Sequence, residues 1–160
     1  MSDFSTAWNL SRGRFFDEVK DLSDVQLRWR MHPGSLSIGQ MVLHVTGVEV
    51  SFASQLSGCE LDAGQVRLKA AATQGVVNDE PFPYAENEIS AALVAEAFEI
   101  AKRLVLPLIS QPSPELLSKE IKSALGPMIT GEGALARLAF HPAYHQGQAY
   151  LMKTSPEFPA

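Results

Sequence analysis

His141 and His145 stand four residues apart in the stretch Ala134–Met152, ALARLAFHPAYHQGQAYLM. Read as a helix, that stretch places Ala134, Leu138, His141, His145, Gln148 and Met152 on one face, because their spacings alternate between four and three. The ends of the stripe are apolar and its middle is two imidazoles and an amide. Rings one turn apart project to the same side and are close enough to share one ion. Polar rings that face a core need partners, since an unpaired buried polar group costs on the order of 1–3 kcal/mol. A divalent metal ion would partner both. The plainer alternative is a pair of core histidines hydrogen-bonded to backbone carbonyls, and a third ligand is what separates the two readings.

His44 supplies that candidate. It lies at the edge of the apolar stripe Ile38, Met41, Val42, Val45, Val48, Phe52, Leu56, so it can point into a cleft beside the core. Glu49 falls inside the same stripe. About 140° of helix separates it from His44, so the two do not share a ligand position. A carboxylate there must be paired or face a cavity. An arginine of another helix is its expected partner, with a substrate-facing role, as a base, as the alternative. Gln148 can orient a histidine or touch substrate, and Tyr144 can donate a hydrogen bond near the site. His32, beside Pro33 and Gly34, reads as a loop histidine and a weaker candidate. Cys59, in Gly58-Cys59-Glu60, reads as an incidental loop residue that could expose a thiol.

Four long helical patterns must position these groups. The first covers 3–21, with Ser2 as its cap and a stripe of Phe4, Trp8, Ser11, Phe15, Val19 and Leu22. Gly13 weakens it by about 1 kcal/mol relative to Ala. Arg12 and Arg14 lie off the stripe and are expected in solvent. Residues 22–36 form a connector with a helical turn near 24–30. Ser37-Ile38-Gly39-Gln40 then matches a capping box, and the helix it opens should run to about Leu56 and stop at Gly58. Residues 58–87 are irregular apart from a short helix over 63–72. A loop of this length is often a lid, and Phe82 and Tyr84 could line a pocket mouth or pack the loop down. A third helix spans 86–110, with Pro107 kinking or ending it near Leu106. Leu116–Ile121 reads as a short extended or helical piece, Gly126-Pro127 as a break, and Thr130 as the cap of the last helix. Pro142, between the two histidines, removes the donor that would pair with Leu138. It kinks the helix or starts a new one.

Composition narrows the function classes. A chain of 160 residues fits one domain, 1–160, with a sizeable core. Apolar residues make up 46% and mean hydropathy is near zero, as in a soluble globular protein. The net charge of −5 and the lack of a basic run argue against nucleic acid as the partner. No run approaches the ~18 apolar residues of a membrane span, and the N-terminal segment lacks a signal-peptide core. The single cysteine excludes an internal disulfide and fits a reducing cytoplasm.

The amphipathic first helix, the Ser37-Ile38-Gly39-Gln40 entry into a helix bearing His44, and the His141-x-x-x-His145-x-Gly147-Gln148 run together resemble the DinB/YfiT-like family of metal-dependent proteins. The last of these is the most specific, and the resemblance covers nearly the whole chain. It implies an all-α fold, a four-helix bundle with one long crossover connection. It also implies a divalent metal, zinc or nickel, held by His44, His141 and His145. Family members include thiol-dependent transferases and isomerases, so a transferase or hydrolase-type activity on a small electrophilic substrate, with a low-molecular-weight thiol cosubstrate, is implied too. Relatives often dimerise through helix faces, which points to a homodimer. Pro142 departs from the family run without changing a ligand. The absence of a fourth protein ligand is compatible with an open coordination position. The competing reading is a non-catalytic metal-binding or dimerising bundle.

Overall fold

The computed structural model describes residues 2–160. Its helices are α1 (Asp3–Val19), α2 (Asp24–Arg28), α3 (Ile38–Ser57), α4 (Ala63–Ala70), α5 (Ala91–Ser110), α6 (Pro114–Ser118) and α7 (Gly131–Lys153). A hairpin of β1 (Glu120–Lys122) and β2 (Met128–Thr130) pairs antiparallel, with Ile121 opposite Ile129, and precedes α7. The fold is all-α, with this hairpin as its only sheet among the described residues.

The long helices α1, α3, α5 and α7 form the bundle. α1 lies between α7 and α5, and α3 lies between the same two on the other side. Close contacts give the directions. The Ser2 amide donates to the Ser110 carbonyl, so α1 starts where α5 ends. Lys153 Nζ donates to the Glu18 carbonyl at 2.9 Å, so α1 and α7 end together. Gly39 abuts Ile89, and Gly131 abuts Leu56, so α3 is parallel to α5 and antiparallel to α7. Parallel neighbours cannot be joined by a tight turn. Residues 58–90 therefore travel back along α3, which is the long crossover.

Local sequence sets the helix starts. The Ser37 hydroxyl accepts from the Gln40 amide at 3.2 Å, and the Gln40 side chain accepts from the Ser37 amide at 3.0 Å. The same reciprocal cap recurs at Ser23–Gln26 and Asp62–Gln65, and Thr130 caps α7. Gly58 ends α3 in the left-handed region at φ 74°, a conformation that costs glycine little.

The structure decides between some of these alternatives and corrects other expectations. α5 does not end at Pro107 but continues to Ser110. Pro107 is exposed, so water can satisfy the carbonyl its ring leaves free. The third helix starts at 91 rather than 86, after a 3₁₀ turn at Glu86–Glu88. The piece at 116–121 divides into the end of α6 and the start of β1. Phe82 packs against the core and Tyr84 is buried in it, so these aromatics hold the crossover down rather than line a pocket. Arg14 is in solvent, but Arg12 is buried.

Arg12 is buried because Glu49 is. The Glu49 carboxylate is 1% exposed. It accepts from Trp8 Nε1 at 2.7 Å and from Arg12 Nε at 3.2 and 3.3 Å. Arg12 Nη2 donates to the Phe98 carbonyl on α5, and the guanidinium lies over the Trp8 and Phe98 rings at 5.2 and 4.9 Å. One polar knot thus ties α1 to α3 and α5 across the bundle axis. Burial pushes the Glu49 pKa up, while Arg12 and Trp8 hold it against that push. All three contacts to its oxygens are donors, as the ionised carboxylate requires.

Candidate metal centre

α7 carries His141 and His145 on the face it turns toward α3, and α3 presents His44 to them. The three imidazoles each offer a nitrogen, and these atoms lie within 4.8 Å of one another. The His141 and His145 Nε2 atoms are 3.1 Å apart. His44 packs edge-on to both rings, with centroids at 5.0 and 5.2 Å. α7 runs through Pro142 as one helix, so the proline leaves the two rings on the same side.

His44 is held from behind. Its Nδ1 is 3.1 Å from the Ala71 carbonyl, at the end of α4. A carbonyl only accepts, so Nδ1 carries the proton and Nε2 keeps its lone pair for the site. Gly47 makes that contact available. A Cβ there would stand 2.5 Å from the Leu68 carbonyl oxygen and 2.9 Å from the Ala72 nitrogen. Without a side chain, α3 and the end of α4 approach closely enough for Ala71 to reach His44.

The electrostatics keep the triad neutral. Burial lowers the pKa of all three rings. For His141 it is lowered to about 3, by burial and then by the neighbouring His145 and His44. For His145 it is lowered to about 4, by burial and then by His44. Gln148 opposes this more weakly, although no hydrogen bond of normal geometry closes between it and His145. The His44 pKa is lowered by burial, with the Ala71 carbonyl acting against it. Neutral imidazoles are the form that ligates metals.

The donor set fits a divalent ion. Nδ1 of His141 and Nδ1 of His145 are buried without any partner, and their Nε2 atoms face each other. Without an ion one Nε2 can share a proton with the other, whereas an ion between them takes the lone pairs of both; the Nδ1 atoms face no partner in either case. Two nitrogens about 2.0–2.1 Å from one tetrahedral ion stand about 3.3 Å apart, close to the 3.1 Å seen. Three nitrogen ligands suit zinc, nickel, copper or iron, and among the described residues this is the one such cluster.

The triad lies in the wall of a cavity of about 790 Å³ between α3, α7, the 32–36 segment and the hairpin turn. Gln148 and Tyr144 also line it. Tyr144 is 53% exposed at the rim, its ring edge-on to His145 at 5.0 Å. His32 also lines the cavity. Glu49 does not reach the cavity; its carboxylate is used in the knot with Arg12 and Trp8. Cys59 is exposed and lies outside this lining. Sequence reasoning missed Arg137 altogether. It sits four residues before His141, so the same spacing that joined the two histidines would have placed it on their face.

The DinB superfamily model matches residues 7–149, so the chain belongs to the DinB superfamily. The crystal structure of a conserved protein from Enterococcus faecalis is similar, with a TM-score of 0.65 at 18% identity over 92% of this chain and 91% of that one. At that identity the likeness concerns the fold. No curated protein matches the chain in sequence. Among the described residues, no helix is long and apolar enough to cross a membrane.

Proposed function

We propose that the protein binds one divalent ion, zinc or nickel, through His44, His141 and His145, and is an enzyme that joins a low-molecular-weight thiol to a small electrophile. The observation that carries this reading is a neutral three-imidazole cluster opening onto a cavity large enough for two small reactants. An ion held there supplies a Lewis acid that makes a bound thiol or water more acidic. The chain's own residues do the rest. Ala71 fixes the His44 tautomer. The apolar walls contributed by Val48 and Phe52 limit water. Gln148 can donate its amide to a substrate oxygen, and the Tyr144 hydroxyl can do so from the rim. The thiol must come from solution, since Cys59 lies outside the cavity. A free thiol pool and an exposed free cysteine both fit a reducing cytoplasm.

The test is thioether formation from cysteine or glutathione and monochlorobimane by metal-loaded protein. Turnover that drops about 10²-fold or more in His141→Ala supports the reading, on the scale expected for loss of a group that organises catalysis. Equal rates in wild type and variant contradict it.

The second reading, a dimerising bundle, draws on the outer face of α7. From residue 136 to 151 its exposed side chains are uncharged; Tyr150 and Leu151, outside the cavity lining, are each more than half exposed, as are Phe140 and Tyr144 at the cavity rim. A helix apolar on both faces seeks a second partner, and a symmetric dimer through α7 supplies one. Light scattering after size exclusion should give a dimer for wild type and a monomer for Tyr150→Glu. A wild-type monomer at high micromolar concentration removes the dimer.

A further inference from the structure

The cavity beside the triad has a distinct charge. Although the chain carries 18 acidic residues, none lines it, and Arg137 is its only permanently charged side chain. Arg137 makes no ion pair among the described residues. Its Nη1 donates to the Ser123 hydroxyl at 2.6 Å, which anchors the guanidinium at the hairpin end and leaves its other donors free. The hairpin turn holds Ser123 in place, since the Ser123 amide donates to the Pro127 carbonyl at 3.0 Å.

We infer that Arg137 is the anion-binding residue of this cavity, and that the substrate is a small carboxylic acid with an apolar body. This rests on the reading of the cavity as the substrate site. A guanidinium forks two donors toward a carboxylate and holds it more strongly than a neutral acceptor. Arg137 lies one turn before His141 on α7, so about 6 Å of helix rise separates the two backbones. An acid gripped at Arg137 presents to the triad an atom a few bonds from its carboxylate. Val48 and Phe52 on α3, with Phe140 and Leu125 toward the mouth, contact the apolar part. The substrate is thus anionic at one end and reactive at the other.

The test uses phenylacetate and its neutral isostere phenylacetamide, titrated by calorimetry at neutral pH into chelator-treated protein, so that no metal can bind the acid. Wild type should bind phenylacetate about tenfold more tightly than phenylacetamide. Arg137→Gln should bring the two affinities within about twofold, whereas Arg137→Lys should keep part of the preference. Circular dichroism and thermal melting check that each variant is folded. His141→Ala, which removes a metal ligand, should keep the preference, so this inference can stand even where no metal binds. Equal affinities in wild type, no binding of phenylacetate, or a preference that survives Arg137→Gln each overturn it. A preference lost in His141→Ala but kept in Arg137→Gln overturns it too, by assigning the acid to the triad.

Discussion

Arg12→Ala should lower the stability of the protein by about 3–5 kcal/mol, the usual cost of removing one partner from a buried ion pair. The pair is well inside the bundle, with side-chain exposures of 10% for Arg12 and 1% for Glu49. The substitution leaves the Glu49 carboxylate with Trp8 Nε1 alone and removes the second donor from the Phe98 carbonyl, which keeps its partner within α5. It also removes the cation from between two aromatic rings, worth about 1 kcal/mol or more when desolvated. For a chain of this length each kcal/mol moves the midpoint by about 2–4 °C, so thermal melting should fall by roughly 6–20 °C. Replacing both partners with apolar residues, as in Arg12→Met with Glu49→Leu, should recover part of the loss, because no charge is then left buried although Trp8 Nε1 loses its acceptor. A single variant within about 1 kcal/mol of wild type in urea titration would show that the knot does not hold the helices together.

Acid should destabilise the metal-free protein well before the carboxylates titrate. His141 and His145 hold folded pKa values of about 3 and about 4, while unfolded histidine titrates near 6.5. Between those limits the unfolded chain binds more protons than the folded one. The stability these rings contribute is therefore complete above about pH 6.5 and is lost as pH falls toward 4. Each ring accounts for about 1.4 kcal/mol per pH unit while it stays neutral only in the fold. The total loss is on the order of 5 kcal/mol by pH 4, with the two rings interacting. Urea midpoints of chelator-treated protein at pH 7.5, 5.5 and 4.5 measure it. The doubly substituted His141→Ala, His145→Ala protein should show a much flatter profile over the same range. Identical profiles would mean that the rings are not buried and neutral as described.

The parts of this molecule that were legible in the sequence are those fixed by local rules. Ser37 and Gln40 cap each other through three residues, Gly58 stops α3, and two histidines at a four-residue spacing share a face. Each needs only the chain's immediate neighbourhood. Arg12 escapes a single-stripe reading of α1. That helix is wedged between α7 and α5, so a second face is covered, and the partner that permits burial lies 37 residues away on α3. α3 itself is buried almost all round, which blurs any stripe. The contact between Ala71 and His44 depends on how α4 approaches α3 at Gly47, and no spacing within either segment encodes it. The hairpin at 120–130 is too short to show an alternation, and its strands are three residues each. Arg137 falls under the same four-residue rule, but a stripe drawn through Leu138 leaves it out.

The central claim is that His44, His141 and His145 together hold one ion, and bound metal tests it most directly. The protein should be purified without a histidine tag or chelator and its metal content measured by elemental analysis, beside His44→Ala, His141→Ala and His145→Ala variants shown to be folded. Close to one equivalent of zinc or nickel in wild type, lost from each variant, is the result the three-imidazole site predicts. A wild type that carries no metal and takes up neither ion when it is offered would contradict it, and would leave the histidines as polar groups packed within the bundle.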